Sequence, residues 1–220
     1  MSGLLTAAAA AGPLVAAWSA HTVFMRRRLE AARRDPLTGL HTRHAFEKRA
    51  ARMLGQGPCA VVVIDLDGFK QVNDTFGHAA GDTAIRESGA WLNEWLTVHS
   101  PGTGMAARLG GDEFALVVPA ADPVTLRSAL ATLHEWMRVP IDHQGQRLCV
   151  GASIGACVVA GNPAPKLPVL LRRADEAMYS AKQNGGGVHV TGQLAPEHAS
   201  VNGRRDGRDG AHHRASSSSG

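Results

Sequence analysis

Four carboxylates at the ends of apolar runs are the residues in this chain best placed to do chemistry. Asp112 and Glu113 follow Gly110-Gly111 and precede Phe114-Ala115-Leu116-Val117-Val118. Asp65 and Asp67 close the run Cys59-Ala60-Val61-Val62-Val63-Ile64. An aspartate at the end of a buried strand is a common ligand position in α/β folds. If Asp65 and Asp112 end adjacent strands, their charges repel unless a cation lies between them. Hard oxygen donors of this kind favour Mg2+ or Mn2+, with water and substrate phosphates completing the shell. An acid pair at a tight turn is equally what a solvated hairpin tip looks like, so Asp112 and Glu113 do not by themselves decide the matter.

The elements that must position these acids follow from the patterning. Met105-Ala106-Ala107 and residues 114–118 flank Gly110-Gly111, which predicts a β-hairpin with a two-residue turn. Neighbouring strand residues face opposite ways, so Asp112 and Glu113 need not share a partner. Residues 59–64 are continuously apolar and rich in β-branched side chains, as in a strand buried on both faces. Helices are predicted over residues 40–54, stopped by Gly55-Gln56-Gly57-Pro58, then over 69–76 and about 79–98. In the last of these Ile85, Leu92 and Leu96 share a face, and Trp91 and Trp95 are read as core. Leu126, Leu130, Leu133 and Met137 mark another helix, and residues 148–158 alternate as a strand. A final helix opened by Pro168 turns Leu170, Leu171, Ala174, Ala177, Met178 and Ala181 inward and ends at Gly185-Gly186-Gly187, before a closing strand at 188–190. This order predicts an α/β (α+β) domain with helices packed on a central sheet.

Composition narrows the partners. A chain of 220 residues with 44% hydrophobic content suits one domain plus tails. The net charge of +4 does not indicate a nucleic-acid surface. Five arginines against one glutamate lie in residues 26–34, and the rest of the chain carries basic and acidic residues in equal number. The three cysteines, Cys59, Cys149 and Cys157, have no metal spacing and fit small core residues in a reducing compartment. Residues 4–25 contain no charge, and as a helix they would span roughly 33 Å, close to a bilayer core. Arg26-Arg27-Arg28 follows at once, as on a cytoplasmic flank. Alanine richness and Gly12-Pro13 weigh against a span. The expectation is an anchor over 1–25 holding a cytoplasmic catalytic part to the inner face of the membrane, with a soluble leader as the alternative. Residues 26–34 read as a basic helical stalk and 191–220 as a disordered polar tail.

Five separated motifs, in order, resemble the GGDEF family of diguanylate cyclases. They are Asp35-Pro36-Leu37-Thr38-Gly39-Leu40 with Arg43; Asp65-Leu66-Asp67-Gly68-Phe69-Lys70; Asn73-Asp74 through Gly77-His78 to Gly81-Asp82; Gly110-Gly111-Asp112-Glu113-Phe114; and Ser153-Ile154-Gly155 with Ala174-Asp175 through Met178-Tyr179 to Lys182. The resemblance covers residues 35–190 and implies a palm-like, ferredoxin-related fold. It implies condensation of two GTP into cyclic di-GMP, with release of two pyrophosphates, across a homodimer. By resemblance Asp65, Asp112 and the Leu66 carbonyl would hold two Mg2+ or Mn2+ ions per half-site, and Glu113 would be the second catalytic carboxylate. Gly68, Phe69 and Lys70 amides would cradle the β- and γ-phosphates, a nest geometry suited to anions. Lys182 would add a point charge there, and Asn73 and Asp82 would read the guanine edge. Asp35 and Arg43 are expected in the domain's first turn and not in the active site; Arg108 is open between bracing the hairpin and contacting a partner or substrate.

Two departures carry consequences. Gly186 stands where the family usually has an arginine that reaches a terminal phosphate. Losing one charge-assisted contact costs about 1.5–3 kcal/mol. Pro101-Gly102-Thr103-Gly104 replaces the family's Arg-x-x-Asp product-inhibition motif, so feedback through that motif is expected to be absent. The competing expectation is a GGDEF-like module that binds GTP or a protein without turnover.

Overall fold

The computed structural model describes residues 18–25, 28, 33–159 and 165–192. Its centre is a six-stranded mixed sheet in the order β1-β3-β4-β2-β7-β8. The strands are β1 (His41–Thr42), β2 (Cys59–Asp67), β3 (Met105–Gly110), β4 (Glu113–Pro119), β7 (Gly151–Val159) and β8 (Gly187–Thr191). A separate small hairpin pairs β5 (Ile141–His143) with β6 (Gln146–Leu148). The helices are α1 (Arg43–Met53), α2 (Phe69–Phe76), α3 (His78–His99), α4 (Pro123–Met137) and α5 (Leu167–Gln183).

The uninterrupted apolar run of β2 reflects its central place, antiparallel to β4 on one side and β7 on the other. Side chains alternate across the sheet, so the strand feeds two cores. Ala60, Val62, Ile64 and Leu66 join α3 and α4, with Leu92, Trp95, Leu130 and Leu133. Cys59, Val61 and Val63 join α1 and α5, with Phe46, Ala50, Leu170 and Ala174. Trp95 is fully buried and donates its indole N–H to the Ala129 carbonyl at 2.9 Å, a core role as expected.

Some local readings are revised. The helix expected from residue 40 starts at Arg43, because His41 and Thr42 pair in parallel with Ala107 and Arg108 as β1. The strand read over 148–158 is divided: Leu148 ends β6 and Gly151 begins β7. The periodicity is shared because Leu148 and Val150 are also buried, packing with Ile141, Val72, Ala80 and Ala84 in a small third cluster. Cys59 and Cys157 are core residues, whereas Cys149 is exposed. Among the described residues no helix is long and apolar enough to cross a membrane. Residues 18–25 are helical; most of 4–25, most of the stalk and the tail beyond residue 192 lie outside the described residues.

Candidate functional site

Strand parity brings the acids to one face at one end of the sheet. Asp65 is directly opposite Glu113 on β4 and Ser153 on β7. Directly paired residues share a face, and odd-numbered β2 residues face α1 and α5. Glu113, Asp65 and Ser153 therefore form a row across three strands, just beyond the helix layer. Asp67 lies one step further along the same face and accepts a hydrogen bond from the Ser153 hydroxyl at 2.8 Å. Ser153, quoted above only as part of a motif, thus orients an acid beside the site.

Asp112 arrives from the turn. The hairpin forms as predicted, but its two turn residues are Gly111 and Asp112, because Gly110 pairs with Glu113 after a register shift beyond Arg108. Gly111 has φ 52°, a conformation that favours glycine. The Leu66 amide lies 3.4 Å from the Asp112 carbonyl, holding the turn beside the end of β2. Burial and then the nearby Asp65 charge raise the Asp112 carboxyl above its ordinary value. Lys182, in the last turn of α5, donates to Asp65 Oδ1 at 2.6 Å. That bond, together with the charges of Asp65, Asp67 and Asp112, raises the Lys182 ammonium above its ordinary value despite partial burial.

The first turn of the domain is joined to this hairpin. Arg108 donates from Nε and a terminal nitrogen to the Gly111 carbonyl at 2.9 and 2.8 Å, and its other terminal nitrogen lies 3.4 Å from both Asp35 oxygens. These bonds let Arg108 brace the turn. Burial works to raise the Asp35 carboxyl, but hydrogen bonds from the Thr38 hydroxyl and amide, with Arg108, hold it below its ordinary value. Arg43 donates to the Leu109 carbonyl at 3.1 Å and lies 3.7 Å from Glu113 Oε2. Arg43 was expected outside the site; the parallel β1–β3 pairing carries it there, and no local pattern in residues 35–43 indicates that pairing. Arg108→Ala is expected to lower stability by about 1–2 kcal/mol, since the Gly111 carbonyl and the Asp35 carboxylate lose their partner. Thermal unfolding of the variant checks this, and an unchanged midpoint would contradict the bracing role.

The remaining expected residues lie around the β2–α2–α3 segment. Gly68 takes left-handed geometry (φ 75°, ψ 6°) and caps α2, turning the chain from Asp67 into Phe69 and Lys70. First-turn amides of a helix have no intrahelical acceptor and suit an anion. Gly77 separates α2 from α3 with φ 85°. Asn73 packs its amide on buried Gly81, where a Cβ would collide with Asn73 Oδ1. The Asn73 amide is thereby brought beside the residue preceding exposed Asp82. The His143 ring contacts the Thr83 hydroxyl at 3.0 Å, anchoring the β5–β6 hairpin to this turn of α3. Gly186 has φ 95°, and a Cβ there would be 3.0 Å from Asp67 Oδ2. An arginine at this position would need a different backbone or a shifted Asp67.

Among the described residues no group of three His, Cys, Asp or Glu side chains is disposed to hold a metal ion. Asp65 and Asp112 nevertheless fit a hard divalent cation as partial donors. They are close enough for one charge to disfavour the other, and a cationic group already lies against Asp65. Water and phosphate oxygens would have to supply the other positions.

The family profile described as "Diguanylate cyclase, GGDEF domain" matches residues 32–187. An uncharacterized 19.3 kDa protein of Streptomyces ambofaciens is 45% identical over 166 residues, 75% of this chain and 86% of that protein. Response regulator PleD of Caulobacter vibrioides is 35% identical over 178 residues, 76% of this chain, though the match spans only 37% of PleD. Among solved structures, the coiled coil and GGDEF domain of DgcB from Caulobacter crescentus, in complex with c-di-GMP, superposes with a TM-score of 0.70 and 25% identity. That superposition covers 81% of this chain and 98% of the DgcB chain.

Proposed function

The chain belongs to the GGDEF family, and from that premise we propose that it is an active diguanylate cyclase, joining two GTP molecules into cyclic di-GMP as a homodimer. The observation that carries this reading is the row of Asp65 and Glu113 on adjacent strands, with Asp112 at the turn and Lys182 against Asp65. A module that only bound nucleotide would not require three acids at one sheet end.

In this reading each 3′-hydroxyl oxygen bonds to the α-phosphorus of the other nucleotide, and the bond from that phosphorus to pyrophosphate breaks. Two protomers must therefore present their nucleotides face to face. Bound divalent cations would neutralise charge on the transferring phosphate and make the attacking hydroxyl easier to deprotonate. Asp65, Asp112 and the Leu66 carbonyl would hold those cations, Mg2+ or Mn2+, two per half-site. Glu113, with Arg43 3.7 Å away, would orient the metal or help to take the 3′-proton. The Gly68, Phe69 and Lys70 amides would hold the β- and γ-phosphates, and Lys182 would approach the same phosphates. Asp82 would accept from guanine N1–H and N2–H2, which adenine cannot offer, and Asn73 would bond to the same edge.

Gly186 favours a second reading, a GTP-binding module without turnover, because a phosphate contact is missing and its backbone does not suit a side chain. The full chain incubated with GTP and Mg2+ separates the two by product analysis, beside an Asp112→Ala, Glu113→Ala control. Cyclic di-GMP from the parent and none from the control is the expected result. GTP binding without product at high protein concentration would leave the binding module, and product from ATP as readily as from GTP would remove Asp82 from base selection.

A further inference from the structure

We propose that Lys182 and a divalent cation compete for the Asp65 carboxylate, and that the substrate triphosphate, by drawing the ammonium away, opens that carboxylate to the metal. The inference rests on the cyclase reading and adds an order of events: metal joins the site with the nucleotide and not before it.

The argument begins from two unequal partners. Asp65 is fixed within the central strand β2, bonded to β4 and β7, and its side chain is 15% exposed. Lys182 ends a flexible four-carbon stem in the last turn of α5, and its side chain is 48% exposed. The carboxylate is a fixed anion, whereas the ammonium can leave. Its nitrogen, 2.6 Å from Oδ1, fills the space where a hard cation such as Mg2+ would stand at about 2.0–2.1 Å from that oxygen. The same acids attract either cation, because Asp67 and Asp112 act on Lys182 as well as Asp65.

The triphosphate decides between the two. Gly68 turns the chain directly after Asp67, one of the acids whose charge acts on Lys182, so the first amides of α2 follow an acid that already draws this ammonium. A polyanion at those amides offers the ammonium a second set of oxygens within reach of its stem. It also supplies the oxygens that the two-carboxylate set lacks for a metal shell. One molecule thus removes the competitor and completes the coordination. The effect is pronounced in this chain because position 186 is a glycine. Lys182 has no neighbouring arginine at that position to share the phosphates, and both tasks fall to one side chain.

The experiment is a Mn2+ titration of the full-length protein, reading free Mn2+ by electron paramagnetic resonance, with and without α,β-methylene-GTP. The parent is expected to bind Mn2+ weakly alone and more tightly with the analogue. Without nucleotide, Lys182→Met and Lys182→Gln are expected to bind Mn2+ about 5- to 10-fold more tightly than the parent, the lower end for a charged contact at a half-exposed site. Lys182→Arg, which keeps the charge, is expected to stay near the parent. Asp65→Asn should remove the gain in the Lys182→Met background, assigning it to this carboxylate. Equal or weaker Mn2+ binding by the two neutral variants, or a parent indifferent to the analogue, overturns the proposal. The cyclase reading fails separately, if the parent yields no cyclic di-GMP whatever the metal titration shows.

Discussion

Asp112→Asn is expected to lower the rate of cyclic di-GMP synthesis by about 10^3-fold or more while leaving the fold at least as stable as the parent. The catalytic loss follows if this carboxylate holds cationic charge at a transferring phosphate, since asparagine keeps the shape and removes the charge. The stability effect follows from the opposite side of the same electrostatics. Burial and Asp65 raise the folded Asp112 carboxyl above its ordinary value of 3.8, so between 3.8 and the raised value the folded state binds more protons than the unfolded one. Stability then falls as pH rises through that window, and the ionised group remains a net cost at neutral pH. Asparagine removes this cost. Because the group is partly solvated the gain is small, and the melting midpoint should lie within about 2 °C of the parent, on the upper side. Single-turnover product formation and thermal unfolding measured on the same preparation check both halves. A variant that is inactive because it melts 10 °C lower would show that Asp112 is structural.

Gly155→Ala is expected to have the reverse profile, a large loss of stability from a residue that does no chemistry. Gly155 follows Ser153 and Ile154 on β7 and faces α5, and a Cβ there would overlap the Ala174 carbonyl oxygen and the Met178 amide and come within 2.6 Å of Met178 Cα. All three are helix backbone, so no rotamer change relieves the contact, and α5 must move off the sheet. Overpacking of this kind costs about 3 kcal/mol at the upper end of its usual range, which for a domain of this size lowers the melting midpoint by roughly 6–12 °C. Movement of α5 would also carry Lys182 away from Asp65, so nucleotide affinity should fall in whatever fraction remains folded. Circular dichroism melting is the first check. A midpoint within 2 °C of the parent would mean that α5 does not lie as close to β7 as described.

The contrast between these substitutions marks how much of the site is legible in one dimension. Which residues could be acids at strand ends is readable along the chain. The apolar run before Asp65 and the glycines before Asp112 are local patterns, and local patterns follow from backbone geometry and burial. The residue pattern likewise determined the helix faces of α4 and α5. It also indicated that residue 186 is a departure from its family. The tertiary structure alone decided that β2 lies between β4 and β7. That order places Glu113, Asp65 and Ser153 in one row, because hydrogen-bonded register, not proximity along the chain, sets which side chains share a face. Asp35 and Arg43 reach the hairpin for the same reason, through a two-residue parallel pairing too short to leave a periodic signature. Gly155 belongs to a motif in the sequence, but nothing along the chain indicates that a helix about 20 residues further on lies against it. Residue types and spacing are properties of a few consecutive bonds, whereas contacts between distant segments depend on how all the apolar faces are buried together.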